Sequence, residues 1–180
     1  MAELPLRFLA LMLKLLPESA LAWLWSAIEF LPGKIGVALR YSLLLRLAQR
    51  VGRNVYIGKY VKIAGWKDLC IGDNVSMHRN CYIDAKGGLE IGNDVSIAHS
   101  CSILTFEHDW EDRSLPIKYN KILYKGVVVE DDVWIGCGSR ILAGVTIKKR
   151  TIVAAGSVVT KGTLGHCIVA GVPARNIKDI

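Results

Sequence analysis

An aliphatic residue returns at every sixth position through most of this chain, and few folds accept that period. Ile57 and Ile63 form one run; Ile71, Met77 and Ile83 form a second; Ile91, Ile97 and Ile103 form a third. The fourth is the longest: Val129, Ile135, Ile141, Ile147, Val153 and Val159. Two extra residues follow Ile63 and Ile83, and a longer insertion separates Ile103 from Val129. An α-helix repeats at 3.6 residues and a strand at 2.0, so neither carries a period of six as one continuous element. A coil with three flat sides does, with one hexad per side and one aliphatic side chain pointing inward from each. The flanking positions agree. The fourth residue after each anchor is small or β-branched (Val61, Val75, Cys81, Val95, Cys101, Val133, Ser139, Val145), as a tight internal corner requires. Lys67 breaks the rule, so the first coil is expected to be irregular. An ordinary β-sandwich would instead alternate with period two between irregularly spaced turns. The expected fold is therefore an all-β parallel β-helix in which each coil buries the face of the next.

The repeat begins late. Residues 1–52 lack it and read as an apolar helical extension, with residues 53–180 as the repeat domain and residues 104–128 as a loop ejected from it. Helices are expected over residues 4–16, 18–31 and about 34–50, separated by Pro17 and by Pro32 with Gly33. The chain's net charge of +7 is concentrated here: residues 1–62 hold nine Lys/Arg against three Asp/Glu, whereas residues 63–180 hold fourteen against thirteen. The apolar runs are too short, and too often interrupted by Arg7, Lys14, Glu18 and Glu29, to span a bilayer. A basic start and a small-residue cleavage site, the marks of a signal peptide, are absent. Two readings stay open. The helices pack on the repeat domain or across an oligomer interface; or they form an interfacial anchor, with Trp23, Trp25 and Phe30 at the headgroup level and Arg7, Lys14, Lys34, Arg40, Arg46 and Arg50 toward anionic lipid. Nucleic acid is a poor partner, because the cations are interleaved with aliphatics.

Five cysteines (Cys70, Cys81, Cys101, Cys137, Cys167) include no CxxC pair, and Cys81 and Cys101 occupy small-residue corners, so they read as reduced packing residues of a cytoplasmic protein. No Cys/His cluster has metal-ligand spacing, so no metal is expected.

Chemistry is expected where the repeat is interrupted, because a coil presents only a regular wall. The insertion carries His108 between Glu107 and Asp109, followed by Trp110. The stretches ILTFEHDW, VVVEDDVWIGCGSRILAGVTI, AAGSVVTK and VAGVPARNI, taken in order, resemble the hexapeptide-repeat acyltransferases. The likeness is strongest to maltose and galactoside O-acetyltransferases and to exopolysaccharide O-acetyltransferases, and covers roughly residues 54–180. It implies a left-handed β-helix, a homotrimer, and acetyl-CoA as co-substrate in the groove between neighbouring copies. It makes His108 the general base for direct transfer to a hydroxyl, without an acyl-enzyme. A main-chain N–H near Gly136 and Cys137 would stabilise the oxyanion. By the same resemblance Asn80, Asp84 and Trp134 contact the acceptor, and Cys137, Ala155, Thr160, Lys161 and Arg175 contact the coenzyme. Lys148, Lys149 and Arg150 replace a usual Gly-Asp-Asn corner and offer further charge to phosphates. The apolar N-terminus departs from enzymes acting on free sugars and points to a membrane-held saccharide or glycolipid, as in envelope or exopolysaccharide biosynthesis, with the protein peripheral on the inner face of the membrane.

Three other functions compete with this one. An N-acetyltransferase acting on an amino sugar would use the same base. A non-catalytic trimeric scaffold would have no need of the AGSVVTK and GVPAR segments. A zinc carbonic anhydrase of the same fold needs two histidines five residues apart, which His78, His99, His108 and His166 do not supply.

Overall fold

The hexad anchors meet along one axis. In this computed structural model, which describes residues 3–180 and side chains from Leu6 onward, Ile57, Ile71, Met77, Ile83, Ile91, Ile97, Ile103, Val129, Ile135, Ile141, Ile147, Val153 and Val159 are all buried in a single continuous core. Burying one such side chain contributes about 1.5–3 kcal/mol, so the stack is held by many equal increments.

Each run of hexads folds into short strands on three parallel faces. The first face stacks Arg50–Val51, Leu69–Ile71, Leu89–Ile91, Val127–Val129 and Thr146–Ile147. The second stacks Tyr56–Ile57, Ser76–Met77, Ser96–Ile97, Trp134–Ile135, Thr151–Val153 and Cys167–Gly171, and ends in an antiparallel strand, Ala174–Asp179. The third stacks Lys62–Ala64, Tyr82–Asp84, Ser102–Leu104, Arg140–Ile141 and Val158–Val159. Register places anchor on anchor: Ile57 against Met77, Ile83 against Ile103, Ile135 against Val153. The third residue after most anchors takes positive φ to turn the corner. Asn54, Asn74, Asn80, Asp94 and Asp132 suit that conformation through short polar side chains, and Gly138, Gly144 and Gly156 through the missing Cβ. The expected irregularity at Lys67 is a 3-10 turn, Trp66–Asp68, entered through Gly65.

The coil starts earlier than the sequence suggested. The third helix ends at Leu47, and Arg50–Val51 already pairs with Cys70 and Ile71. Val51 lies six residues before Ile57 and extends the period backward by one anchor.

The helices are α1 (Glu3–Met12, continued by a 3-10 turn Leu13–Leu15), α2 (Glu18–Ile28) and α3 (Gly33–Leu47). They close the end of the prism. Leu21, Trp25, Leu43, Leu44 and Leu47 join the same core as the coils. The Trp25 indole donates to the Val61 carbonyl at 3.1 Å and meets Trp66 edge-on at 4.9 Å between ring centroids. The Tyr41 hydroxyl donates to the Gly52 carbonyl at 2.9 Å, and Lys62 pairs with Glu29 at 2.7 Å. Two residues expected at a lipid surface are thereby corrected. Trp25 is 3% exposed and Arg40 is 1% exposed, because the cap needs both inside. The outer side of the cap is different: Phe8 is 65%, Leu15 87% and Trp23 74% exposed. No helix among the described residues is long and apolar enough to cross a membrane.

Candidate active site

The insertion after the third coil is an antiparallel hairpin, Phe106–His108 against Ile122–Tyr124. Its root is fixed at the corner between the third and first faces. The Thr105 hydroxyl donates to the Asp84 carbonyl at 2.9 Å and accepts from the Gly87 N–H at 2.8 Å; Lys125 N–H donates to the Thr105 carbonyl at 2.9 Å. An ion pair between Lys125 and Glu107 ties the two strands. Beyond His108, the Asp109 carboxylate accepts from the N–H groups of Trp110 and Glu111 at 2.7 and 3.1 Å and folds the chain over. His108 stands at the end of this hairpin, exposed, and its imidazole has no hydrogen-bond partner among the described residues.

The same corner carries Asp84 at the end of Tyr82–Asp84, and Thr160 with Lys161 just after Val158–Val159. Asp84 is 0% exposed. One carboxylate oxygen accepts from the Lys86 N–H at 3.1 Å; the other is buried without a hydrogen bond, with the Lys86 ammonium 3.8 Å away. Lys161 lines a groove of about 280 Å³ with Thr163, Leu164, Arg175 and Asn176, so the terminal strand brings Arg175 to Lys161.

The remaining candidates occupy the other edge of the third face. Asn80, Cys137 and Ala155 all lie at the corner between the second and third faces. Asn80 is an exposed corner residue at φ 61°, and its N–H donates to the Lys59 carbonyl. Trp134 projects outward from the second face, three residues before Cys137. Asn80 and Asp84, four residues apart in sequence, thus sit at opposite ends of one strand, separated by roughly 13 Å of extended chain. A single chain puts His108, Asp84, Thr160 and Lys161 on one edge and Asn80, Cys137 and Ala155 on the other.

Main-chain donors near Cys137 are mostly committed. Gly136 N–H donates to Val153 and Gly138 N–H to His99, whereas Cys137 N–H has no acceptor among the described residues. The basic corner is also engaged: Lys148 pairs with Glu130 and Arg150 with Asp132, each at 2.9 Å, and the Glu130 carboxyl is held below its ordinary range by Lys148 and the Lys149 N–H. Cys81 is buried, and its hydrogen bond with Cys101 together with burial pushes the thiol well above the usual range. It is a packing group.

Sequence reading missed one alignment. Lys59, Arg79 and His99 share the corner of Cys137 and Ala155, each two residues past an anchor, so the hexad register itself was the signal. It also missed Thr163 and Asn176 in the groove. Among the described residues no group of three or more His, Cys, Asp or Glu is placed to hold a metal ion.

Comparison with known proteins bears on this arrangement. Residues 126–161 match the family described as bacterial transferase hexapeptide (six repeats). A probable acetyltransferase of Mycobacterium tuberculosis is 34% identical over 135 residues, 74% of this chain and 45% of that protein, so the chain spans under half of that relative's length. The galactoside O-acetyltransferase of Escherichia coli is 30% identical over 145 residues, 80% of this chain and 70% of that protein. A hexapeptide-repeat acetyltransferase of Vibrio cholerae, solved with acetyl-CoA, superposes with a TM-score of 0.80 at 28% identity, covering 90% of this chain and 86% of that one.

Proposed function

The chain belongs to the hexapeptide-repeat acetyltransferases, and we propose that it moves the acetyl group of acetyl-CoA directly onto a hydroxyl of a saccharide. The observation that carries this is His108, an unpartnered imidazole held out from the prism by an ordered hairpin. Imidazole titrates near neutrality, and a positioned base contributes about 10²–10⁴-fold. His108 takes the hydroxyl proton as that oxygen bonds to the thioester carbonyl carbon; the carbon–sulfur bond then breaks, and the imidazolium returns the proton to the departing sulfur. The Cys137 N–H is the free donor for the oxyanion. Lys161 and Arg175 fit the coenzyme's phosphates, since they line one groove with no acidic residue in it.

The division of the candidates between two edges supports a homotrimer, in which the His108 edge of one copy meets the Cys137 edge of the next. The exposed apolar outer side of the cap supports peripheral contact with the inner face of a membrane, and hence a lipid-linked glycan of envelope or exopolysaccharide synthesis as acceptor. The test is a mass-spectrometric screen of acetyl transfer onto sugars, amino sugars, nucleotide sugars and lipid-linked sugars. Ester formation on a lipid-linked sugar is expected. Amide formation alone would replace the hydroxyl acceptor with an amine, and no transfer to any class by a trimer that binds acetyl-CoA would remove the proposal.

A further inference from the structure

Helices α1 and α3 leave a groove of about 280 Å³ between them, lined by Arg7, Ala10, Leu11, Lys14, Leu45 and Arg46. Three of these side chains are cationic, Arg7 with a partner of its own, and none of the described lining residues is acidic. Arg7, Leu11 and Lys14 follow one another at four- and three-residue spacing, so they share a face. Arg46, in the last turn of α3, turns its Nε inward, where it is buried and has no hydrogen-bond acceptor among the described residues. A buried donor left without an acceptor is uncommon and asks for a ligand that supplies one. The surroundings say which kind. Phe8, Leu11, Met12 and Leu15 stand exposed along the same helix and its continuation. A cationic hollow flanked on one side by exposed apolar side chains matches an anion joined to hydrocarbon, because the phosphate occupies the hollow while that flank enters the acyl boundary. A small water-soluble phosphate would leave the flank in water.

We infer that the α1/α3 groove seats the phosphate of an anionic lipid headgroup, with Arg46 and Lys14 as its donors. This rests on the peripheral-membrane reading above and sharpens it: a defined headgroup site sits within a surface otherwise held by apolar contact. Arg46 supplies a donor fixed by packing, and Lys14 a mobile charge at the rim.

The experiment is co-sedimentation of the full chain with vesicles of pure phosphatidylcholine and with vesicles in which about one-third is phosphatidylglycerol, at about 0.15 M salt. Preference for the mixed vesicles is expected at about 25-fold, near fivefold for each of Lys14 and Arg46. Lys14→Gln with Arg46→Gln should remove most of the preference, leaving about twofold or less. Lys34→Gln with Lys59→Gln removes the same charge outside the groove and should leave most of it. Lys14→Gln alone, at an exposed position that leaves the fold intact, should lower it about fivefold. Equal loss in the two double variants would overturn the site in favour of diffuse charge. Equal binding of wild type to both vesicles would overturn the site while leaving apolar anchoring in place, and binding to neither would overturn both.

Discussion

Arg40 on α3 donates through Nε to the Ile57 carbonyl of the first coil at 3.0 Å, and through Nη1 to the Leu31 carbonyl at 2.9 Å. One buried guanidinium thus joins the end of α2 to the prism, where the negative pole of a helix also favours a cation. Gly36 makes room for it: a Cβ there would lie 2.2 Å from the Leu31 oxygen and 3.1 Å from the Arg40 Nη1. Burial lowers the Arg40 pKa from its ordinary value, yet arginine keeps its charge, so the carbonyls hold a true cation.

Replacing Arg40 with Met keeps the volume and strands those carbonyls. We expect a loss of about 3 kcal/mol, read by urea unfolding, with the helical signal melting before the β signal because coils rely on their neighbours. A loss under about 1 kcal/mol would show that the cap is held by its apolar face alone.

The coils were legible because each hexad meets the same surroundings, so Ile57 and Val153 announce the same role 96 residues apart. The cap meets the prism once, and nothing repeats to reveal it. Trp25 and Trp23 differ by two positions and end on opposite sides of α2. The hairpin was legible as a gap in the period, which singled out His108. Asn80 and Asp84 are four residues apart in sequence but parted by a strand, and their separation emerges only once the register assigns each to a corner. Arg175 met Lys161 through a chain reversal at Gly171 that no hexad rule describes.

As the proposed base, His108 acts on the chemical step alone. His108→Ala should lower kcat by about 10²–10⁴-fold while leaving the KM for acetyl-CoA and the melting temperature unchanged. The acidic limb of the wild-type pH–rate profile should disappear with the imidazole. Steady-state kinetics across pH 5–9 would check this, and an unaltered limb would assign the base elsewhere.

Charge at the proposed coenzyme groove and the neighbouring basic corner is divided between engaged and available groups. Lys148 and Arg150 already face Glu130 and Asp132, whereas Lys161 and Arg175 line the groove. Lys161→Ala and Arg175→Ala should each raise the KM for acetyl-CoA by about tenfold with little change in kcat. Lys148→Ala should alter it by no more than about fivefold, since an exposed pair contributes at most about 1 kcal/mol. Reversed ranking would move the phosphate contacts to the basic corner.

Asp84 offers the sharpest division between packing and function. Its carboxylate is fully buried, with one oxygen that accepts no hydrogen bond and a single ammonium 3.8 Å away. As packing alone that arrangement is unfavourable, since a buried acceptor without a donor costs about 1–3 kcal/mol. Asparagine keeps the shape and the acceptor for the Lys86 N–H but removes the charge. Asp84→Asn should therefore melt no lower than wild type, and higher if the unpaired oxygen is a burden. An acceptor hydroxyl that donates to this oxygen would lose its partner, so kcat/KM for the acceptor should fall at least about tenfold while the KM for acetyl-CoA stays constant. A melting temperature that rises with kcat/KM unchanged would make Asp84 a corner residue of the coil, and a joint fall in both would mean that its charge holds the root of the His108 hairpin.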